Sequence, residues 1–312
     1  MLKTPHTVVI CTRSRSQSLT NLISSIENCT QPDSLEVLIV LNGHTQNELA
    51  ETQKQFEDSQ INVRIIVSKP GLASARNVAL QELTEGLVTF LDDDVLLPKN
   101  YFEEIGKTFQ SNPDLNGLSP RIQGLYSDQQ MFRGRVGATK QPKYGQVTRN
   151  GDNFWVPDIF SKTLTNVEWL PGCSMTYKVS AIGKKKFSEE LMLGPTGGYS
   201  LGEDVDFSLQ FTNLVAINTI SINHLQASSV RDNNHVMSQA RGCWNVFLAR
   251  RHPAKVSLIY SGIFNVGAMI YFGIRSLVSR GEFTQLFVQR FIQLIWFIKE
   301  VFHPKLMKSK NE

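Results

Sequence analysis

The chain has few cysteines, few charged residues and no repetitive sequence. Its 312 residues include only four cysteines, which lie far apart and form no C-x-x-C pair. Because the polar start of the chain, residues 1–6, is too short for a secretory signal, we expect four reduced thiols in a cytosolic compartment. Charged residues make up 19% of the chain and hydrophobic residues 41%. This composition excludes intrinsic disorder, a collagen-like repeat and a coiled coil, and it is rich enough in apolar residues for a buried core.

The net charge of +4 is unevenly distributed along the chain. From Arg241 onward there are 11 Lys and Arg against 3 Asp and Glu, whereas residues 1–240 carry 21 against 25. A nucleic-acid-binding protein would carry its basic residues around a reading surface, so the pattern argues against that class. A basic and apolar tail suits contact with an anionic membrane surface.

Apolar runs and helical patterns alternate over the first hundred residues. Residues 7–11, 36–41, 62–67 and 87–91 are near-continuous apolar runs. Between them, apolar residues at helical spacing predict helices around residues 19–26 and 72–83. This order predicts an α/β fold, with a mainly parallel sheet flanked by helices and ligands bound at the carboxyl ends of the strands. Residues 111–169 show weak periodicity, and we expect loops and short strands there.

Three consecutive acids follow the fourth predicted strand. Because side chains two residues apart point to the same side of an extended chain, Asp92 and Asp94 can converge while Asp93 faces away. Carboxylates so placed repel one another unless a cation is present. They suit Mg²⁺ or Mn²⁺ bridging to a substrate phosphate. The alternative is a solvated turn that carries surface acids.

A second acidic group, Glu203 and Asp204, lies far downstream. It precedes an apolar pattern at residues 207–211 that predicts a helix, so both carboxylates would lie in the first helical turn. The pattern is compatible with a catalytic base. It is equally compatible with two acids that merely favour a helix N-terminus, where the helix dipole stabilises negative charge.

Five sequence blocks in this order resemble a family 2 glycosyltransferase with a GT-A fold. The resemblance covers roughly residues 6–250, and the blocks are residues 9–13, 36–43, 71–77, 87–94 and 202–207. It implies a GT-A-like nucleotide-binding sheet in a catalytic domain of residues 1–250, followed by a helical segment of residues 251–312. The implied activity is metal-dependent, inverting transfer of a sugar from a nucleoside-diphosphate donor to a hydroxyl of a glycan or lipid-linked acceptor. Enzymes of this type build cell-surface polysaccharides.

The same resemblance assigns roles to individual residues. It makes Asp204 the catalytic base, with Glu203 beside it, and implies a divalent cation, Mn²⁺ or Mg²⁺. The donor-binding residues would be Thr12, Arg13, Asn42, Arg76, Asn77, Asp92 and Asp93. The metal ligands would be Asp92, Asp94 and His224, and the acceptor contacts Trp169 and Gly172. The alternative for His224 is a structural role, and the alternative for Trp169 is a buried position in the core.

One position departs from the family pattern. Many relatives place an Asp just before Asn-Gly after the second strand, where it recognises uracil, and this chain has Leu41 there. The departure puts a uridine donor in doubt and leaves guanosine and thymidine donors open.

The C-terminal segment predicts two helices of different character. Residues 256–274 carry no charge and could span a bilayer by length, and residues 283–302 form an amphipathic pattern. Since basic residues flank the first helix on both sides, we expect peripheral association with the inner face of the cell membrane rather than a single span. The alternative is that both helices pack on the catalytic domain or on a second subunit.

Two rival functions make different demands on the sequence. A sugar-nucleotide nucleotidyltransferase of similar fold should have a Gly-rich, basic loop directly after the first strand, but residues 12–16 contain no glycine. A non-catalytic partner that kept the fold should have lost one of the acids, yet Asp92, Asp94 and Asp204 are all present. Both features favour the transferase.

Overall fold

The computed structural model describes residues 4–13, 16–123, 145–153, 163–193, 201–225 and 234–304. By its internal packing the chain divides into two compact units. The sheet unit comprises residues 1–131, 155–187 and 204–227, and the helical unit comprises residues 132–154, 188–203 and 228–312. This is a division by packing, and the functional boundary expected at residue 250 stays a prediction.

The sheet unit contains one nine-stranded mixed sheet. Its strands are β1 (His6–Thr12), β2 (Leu35–Asn42), β3 (Asn62–Ser68), β4 (Leu87–Leu91), β5 (Val95–Leu96), β6 (Gly117–Gln123), β7 (Leu164–Val167), β8 (Ser174–Lys178) and β9 (Leu214–His224). Their order is β3-β2-β1-β4-β8-β6-β9-β5, and β7 also pairs with β9. Strands β1 to β4 are parallel, β8 is antiparallel to both β4 and β6, and β6 is parallel to β9. The carboxyl ends of β4 and β9 and the amino end of β8 therefore share one edge.

The four parallel strands were all predicted, and the structure confirms each to within one residue at either end. Their apolar runs are continuous because both faces of the sheet are covered. All five residues of β4 are buried, for example. One face packs against α1 and α4, and its core includes Leu22, Ile26 and Phe102.

Short helices connect the strands. They are α1 (Ser16–Glu27), α2 (Gln46–Gln55), α3 (Leu72–Glu82), α4 (Tyr101–Ser111), α5 (Val179–Ile182) and α6 (Glu203–Ser208). Helices α1 and α3 confirm the helical spacing seen in the sequence. Loops and short strands were expected over residues 111–169, and the structure has the short strands β6 and β7 there. Residues 124–144 and 154–162 of this range lie outside the described residues.

The helical unit is built on three longer helices, α7 (Asn234–Arg251), α8 (Leu258–Val278) and α9 (Thr284–Phe302), and also contains a 3₁₀ turn, Glu189–Leu193. Helices α7 and α9 approach closely at Gly242, where an added Cβ would lie 2.8 Å from the backbone nitrogen of Phe297. A buried chain of amides also joins them, because Gln293 Nε2 donates to Asn245 Oδ1 at 3.1 Å. Within the described ranges, α8 is the only helix long and apolar enough to cross a membrane by length and composition.

Candidate active site

The acids that follow β4 meet His224 at one edge of the sheet. His224 is the last residue of β9 and pairs with Val95 of β5 directly after the acids, which brings its ring to the end of β4. Its Nε2 lies 3.3 Å from Asp94 Oδ1 and 4.0 Å from Asp92 Oδ2. One ligand atom from each of the three side chains lies within 4.8 Å of the others. The sequence pattern predicted that Asp92 and Asp94 converge, and the family resemblance implied His224 beside them.

This group fits a hard divalent cation. Two carboxylates and one imidazole are donors that Mn²⁺ and Mg²⁺ accept, and three protein ligands leave positions for phosphate oxygens. His224 and Asp94 are buried and Asp92 is half-buried. Two acids held this close repel each other, so a cation between them would relieve a cost of folding.

The middle acid, Asp93, has a different partner. It was expected to face away from its neighbours, and the structure turns its carboxylate toward β1, where Thr12 Oγ1 donates a hydrogen bond of 2.5 Å to Asp93 Oδ2. Both side chains are buried. The pair ties the carboxyl end of β1 to the loop after β4. Arg13, the next residue, is exposed.

The carboxyl end of β2 is tied to the start of α3. Asn42 Oδ1 accepts a hydrogen bond of 2.6 Å from the backbone N–H of Gly71. Gly43 follows with a φ of +77°, and a Cβ there would lie 2.8 Å from Pro70 Cγ, so the turn has no room for a side chain. Leu41 is only 2% exposed and belongs to the core. Asn42, not position 41, is therefore the polar side chain at this strand end.

Arg76 lies inside the protein and bridges two segments of the site. It is 2% exposed, and its Nη2 donates to the carbonyl oxygen of Gly172 at 3.0 Å. The same nitrogen lies 3.4 Å from Asp92 Oδ1. Its guanidinium group also sits 5.4 Å from the ring centroid of Phe187. Arg76 thus holds Asp92 and the segment before β8 in one arrangement.

Asp204, the second residue of the downstream acidic group, is oriented by two backbone donors. Its Oδ2 accepts from the N–H of Gly172 at 2.9 Å, and its Oδ1 accepts from the N–H of Val205 at 2.8 Å. The side chain is half-buried, whereas that of Glu203 is buried. The sequence pattern placed both acids in a first helical turn, and α6 confirms this, although the helix ends at Ser208.

Two further predicted residues are enclosed. Asn77 uses both ends of its amide on one residue, donating to the carbonyl of Phe187 and accepting from its N–H, each at 2.9 Å. Trp169 is 2% exposed, so its ring is closed off from solvent. The assignment of Asn77 to the donor and of Trp169 to the acceptor stays a prediction.

Sequence reasoning missed the residues that support the site. Phe187 lies beside Arg76 and is held by Asn77. Ser208 joins α6 to the segment before β8, because its hydroxyl donates to the carbonyl of Asp204 at 2.6 Å and accepts from the N–H of Leu170 at 3.0 Å. These partners are far apart along the chain. The only local signal is the helical spacing of Ser208 from Asp204.

Cys11, near the end of β1, is one of the four cysteines expected to be reduced thiols, and the structure shows it free. Burial raises the pKa of its thiol to about 12; the charge of Arg76 opposes this rise, and the charges of Asp92 and Asp93 add to it. The thiol is therefore protonated at neutral pH, when the thiolate would be the reactive form. All four cysteines of the chain are free.

Comparison with known proteins shows the family of the chain. Residues 7–183, more than half of the chain, match the family model described as Glycosyl transferase family 2. No curated protein matches the chain.

Several solved structures have a similar fold. The crystal structure of S. aureus TarS residues 1–349 in complex with UDP-GlcNAc aligns with a TM-score of 0.53 and 13% identity, covering 95% of this chain and 91% of that one. The same fragment in complex with UDP aligns with a TM-score of 0.52 and 14% identity, covering 94% of this chain and 89% of that one. The crystal structure of S. aureus TarS aligns with a TM-score of 0.51 and 15% identity, covering 80% of this chain and 43% of that one. At these identities the likeness establishes the fold alone.

Proposed function

This chain belongs to glycosyl transferase family 2 and is a glycosyltransferase, and from that premise we propose a metal-dependent, inverting enzyme. It would move a sugar from a nucleoside-diphosphate donor to a hydroxyl of a glycan or lipid-linked acceptor. The observation that carries the proposal is the continuity of the site. Asp92, beside Asp94 and His224, is joined through Arg76 and the Gly172 peptide to Asp204.

On the donor side, Asp92, Asp94 and His224 would hold Mn²⁺ or Mg²⁺. The cation, when bound, supplies positive charge that stabilises the leaving nucleoside diphosphate. Thr12 keeps Asp93 turned away from the ligand group. Arg76 holds the Asp92 carboxylate from the protein side and adds a fixed positive charge there.

On the acceptor side, Asp204 would be the general base. The acceptor hydroxyl gives its proton to the Asp204 carboxylate as its oxygen bonds to the anomeric carbon. The bond from that carbon to the diphosphate oxygen breaks, and its electron pair leaves with the nucleoside diphosphate. A single displacement of this kind inverts the anomeric configuration. The N–H groups of Gly172 and Val205 fix the carboxylate for this task.

Among the possible donors, we place a UDP-sugar first. Leu41 raised doubt about uridine, but its side chain packs in the core and leaves the strand end to Asn42. Two structures of similar fold were solved with UDP-GlcNAc and with UDP. Guanosine and thymidine donors remain the competing outcomes.

The proposal extends to the place where the enzyme works. We propose that residues 1–250 form the catalytic domain and that residues 251–312 associate with the inner face of the cell membrane. A lipid-linked acceptor in polysaccharide synthesis would then be presented where the enzyme is held. Nine Lys and Arg against three Asp and Glu in this segment favour an anionic surface.

A thermal-shift screen tests the donor side. The full-length protein is heated with UDP, GDP, TDP or CMP, each with and without Mn²⁺ or Mg²⁺. A ligand at about 100 times its dissociation constant adds about 2.7 kcal/mol of stability, which is readily detected. We expect a shift with UDP that requires metal. No shift with any nucleotide, in folded protein, contradicts the proposal.

A further inference from the structure

Helix α8 has its polarity reversed for a helix on the surface of a water-soluble protein. Such a helix normally buries its apolar side chains and exposes its polar ones. In α8, Ser261 and Asn265 are 0% and 1% exposed, whereas Leu277 is 84% and Ile259 is 77% exposed. The exposed aliphatic residues recur every three or four positions and form one stripe along the helix, here called the α8 stripe: Ile259, Ile263, Val266, Ile270, Ile274 and Leu277.

The opposite side of α8 is attached to α9 along its length. Near the start of α8, a Cβ on Gly262 would lie 3.4 Å from the ring of Phe297. Near its end, Ser276 and Thr284 share a hydrogen bond of 2.6 Å. Because α9 holds α8 at both ends, the α8 stripe is a fixed surface about 27 Å long, at 1.5 Å per residue.

This attachment argues against a membrane span. A spanning α8 would bring α9 to the same depth, and α9 carries Arg290 in its interior. Each charged residue at the centre of a bilayer is strongly unfavourable. A helix with one face on protein and the other apolar is suited to lie along a membrane surface.

Charge favours a lipid surface over a second copy of the chain as the partner of the α8 stripe. Arg275 and Arg280 are exposed at the C-terminal end of α8. Residues 251–312 carry nine Lys and Arg against three Asp and Glu, so two such segments repel each other while an anionic leaflet attracts both. Tyr260 and Tyr271, 44% and 45% exposed, lie beside the stripe and suit the boundary between headgroups and acyl chains.

We propose that α8 binds in the plane of an anionic membrane, with the α8 stripe inserted at the headgroup boundary and α9 packed on the opposite side of α8. This deepens the membrane association that forms part of the proposed function, and rests on it. The inference assigns the membrane contact to helix α8 and, on that helix, to the α8 stripe.

Vesicle flotation of the full-length protein tests this face. Vesicles of phosphatidylcholine alone are compared with vesicles that also contain phosphatidylglycerol. We expect flotation with the anionic vesicles, weakened by high salt because screening reduces the attraction. A triple variant, Ile263→Gln, Ile270→Gln and Leu277→Gln, should bind at least about tenfold more weakly. The matched control, Ile263→Leu, Ile270→Leu and Leu277→Ile, keeps the stripe apolar and should bind as the unchanged protein does.

Four outcomes overturn the inference. One is the absence of flotation with either vesicle. A second is equal flotation of the Gln variant. A third is that the protein stays in the membrane fraction of cells after a wash with alkaline carbonate, because this behaviour indicates a span. If light scattering shows a dimer that the Gln variant loses, the face is instead an interface between copies. Donor hydrolysis measured without vesicles is independent of flotation, so the glycosyltransferase proposal and this inference can fail separately.

Discussion

The backbone N–H of Gly172 donates a hydrogen bond of 2.9 Å to Oδ2 of Asp204. The carbonyl oxygen of the same glycine accepts from Arg76, and Arg76 also contacts Asp92. One residue therefore links the acid that faces the acceptor in the proposed mechanism to the acid that faces the donor. The two acidic groups are more than a hundred residues apart in the sequence, and this network fixes their relative position.

Gly172→Ala should disturb this link. An added Cβ would lie 2.9 Å from Arg76 Nη2 and 3.3 Å from Asp204 Cβ, closer than side-chain atoms normally approach. Because Arg76 is buried and held on both sides, it has little room to move. We expect kcat to fall by about 10- to 100-fold, since small misplacements of reacting groups are costly, while donor affinity changes less.

A matched control for that variant is Gly267→Ala in α8, where an added Cβ meets nothing within 4 Å. Transfer is measured on a water-soluble acceptor, so that membrane contact plays no part. If Gly172→Ala turns over as fast as Gly267→Ala, the Gly172 peptide does not position the catalytic groups.

Asp94→Asn should remove the effect of metal on donor binding. The amide keeps the shape of the side chain and loses the charge that a divalent cation needs. We expect UDP affinity in Mn²⁺ to weaken by at least about tenfold, as disturbed metal sites typically do, and metal-free affinity to stay the same. Titration calorimetry with and without Mn²⁺ measures both. Asp33→Asn, at an exposed position, is the control, and identical metal dependence in the two variants would exclude Asp94 as a ligand.

Thr12→Val should destabilise the protein. The change leaves the buried Asp93 carboxylate without the 2.5 Å hydrogen bond from Thr12 Oγ1. We expect the free energy of unfolding to drop by about 1.5–3 kcal/mol, the range for hydrogen bonds to charged groups. Urea denaturation measures the loss. Thr7→Val, a half-buried position on the same strand, should change stability much less, and equal losses would show that the effect belongs to the strand.

His6 should make stability depend on pH in the acid range. It is buried with its Nε2 2.7 Å from Thr89 Oγ1, and burial lowers its pKa from 6.5 to about 3. Between these values the unfolded chain binds a proton that the folded chain does not. The contribution of neutral His6 is therefore complete above pH 6.5 and is lost as the pH falls toward 3.

Unfolding in urea at about pH 7 and about pH 4.5 measures this effect. On lowering the pH, the unchanged protein should lose about 2–3 kcal/mol more than His6→Gln, at about 1.4 kcal/mol per pH unit. Comparing the two proteins removes the contribution of the carboxylates, which both share. Parallel losses would show that His6 does not titrate on unfolding.

The parallel half of the fold could be predicted because its signals are local. Each of β1 to β4 is a continuous apolar run, and α1 and α3 have apolar residues at helical spacing. Helix α2 was missed because it has no buried residue and therefore no apolar stripe. Its capping box, in which Thr45 and Glu48 bond reciprocally, is visible in the sequence as a start signal. The strands after β4 pair across long sequence separations, which no local pattern specifies.

The site could be predicted in part for the same reason. Alternation along an extended chain placed Asp92 and Asp94 together, and the structure adds His224 as the family resemblance implied. The same rule could not identify Thr12 as the partner of Asp93, because the two are 81 residues apart. Arg76 was expected near the donor. Its bond to Gly172 spans 96 residues and depends on the packing of β8 beside β4.

The central claim, that Asp204 is the base, is tested most directly by Asp204→Asn. Single-turnover transfer is measured at saturating donor and Mn²⁺, with UDP binding measured separately. We predict that the rate falls by about 100- to 10,000-fold, the usual contribution of a general base, while UDP binding is retained. Glu203→Gln, which changes the buried neighbouring acid, should be affected much less. An Asp204→Asn rate within about tenfold of the unchanged enzyme would contradict the account, because such a rate leaves the acceptor proton to another group.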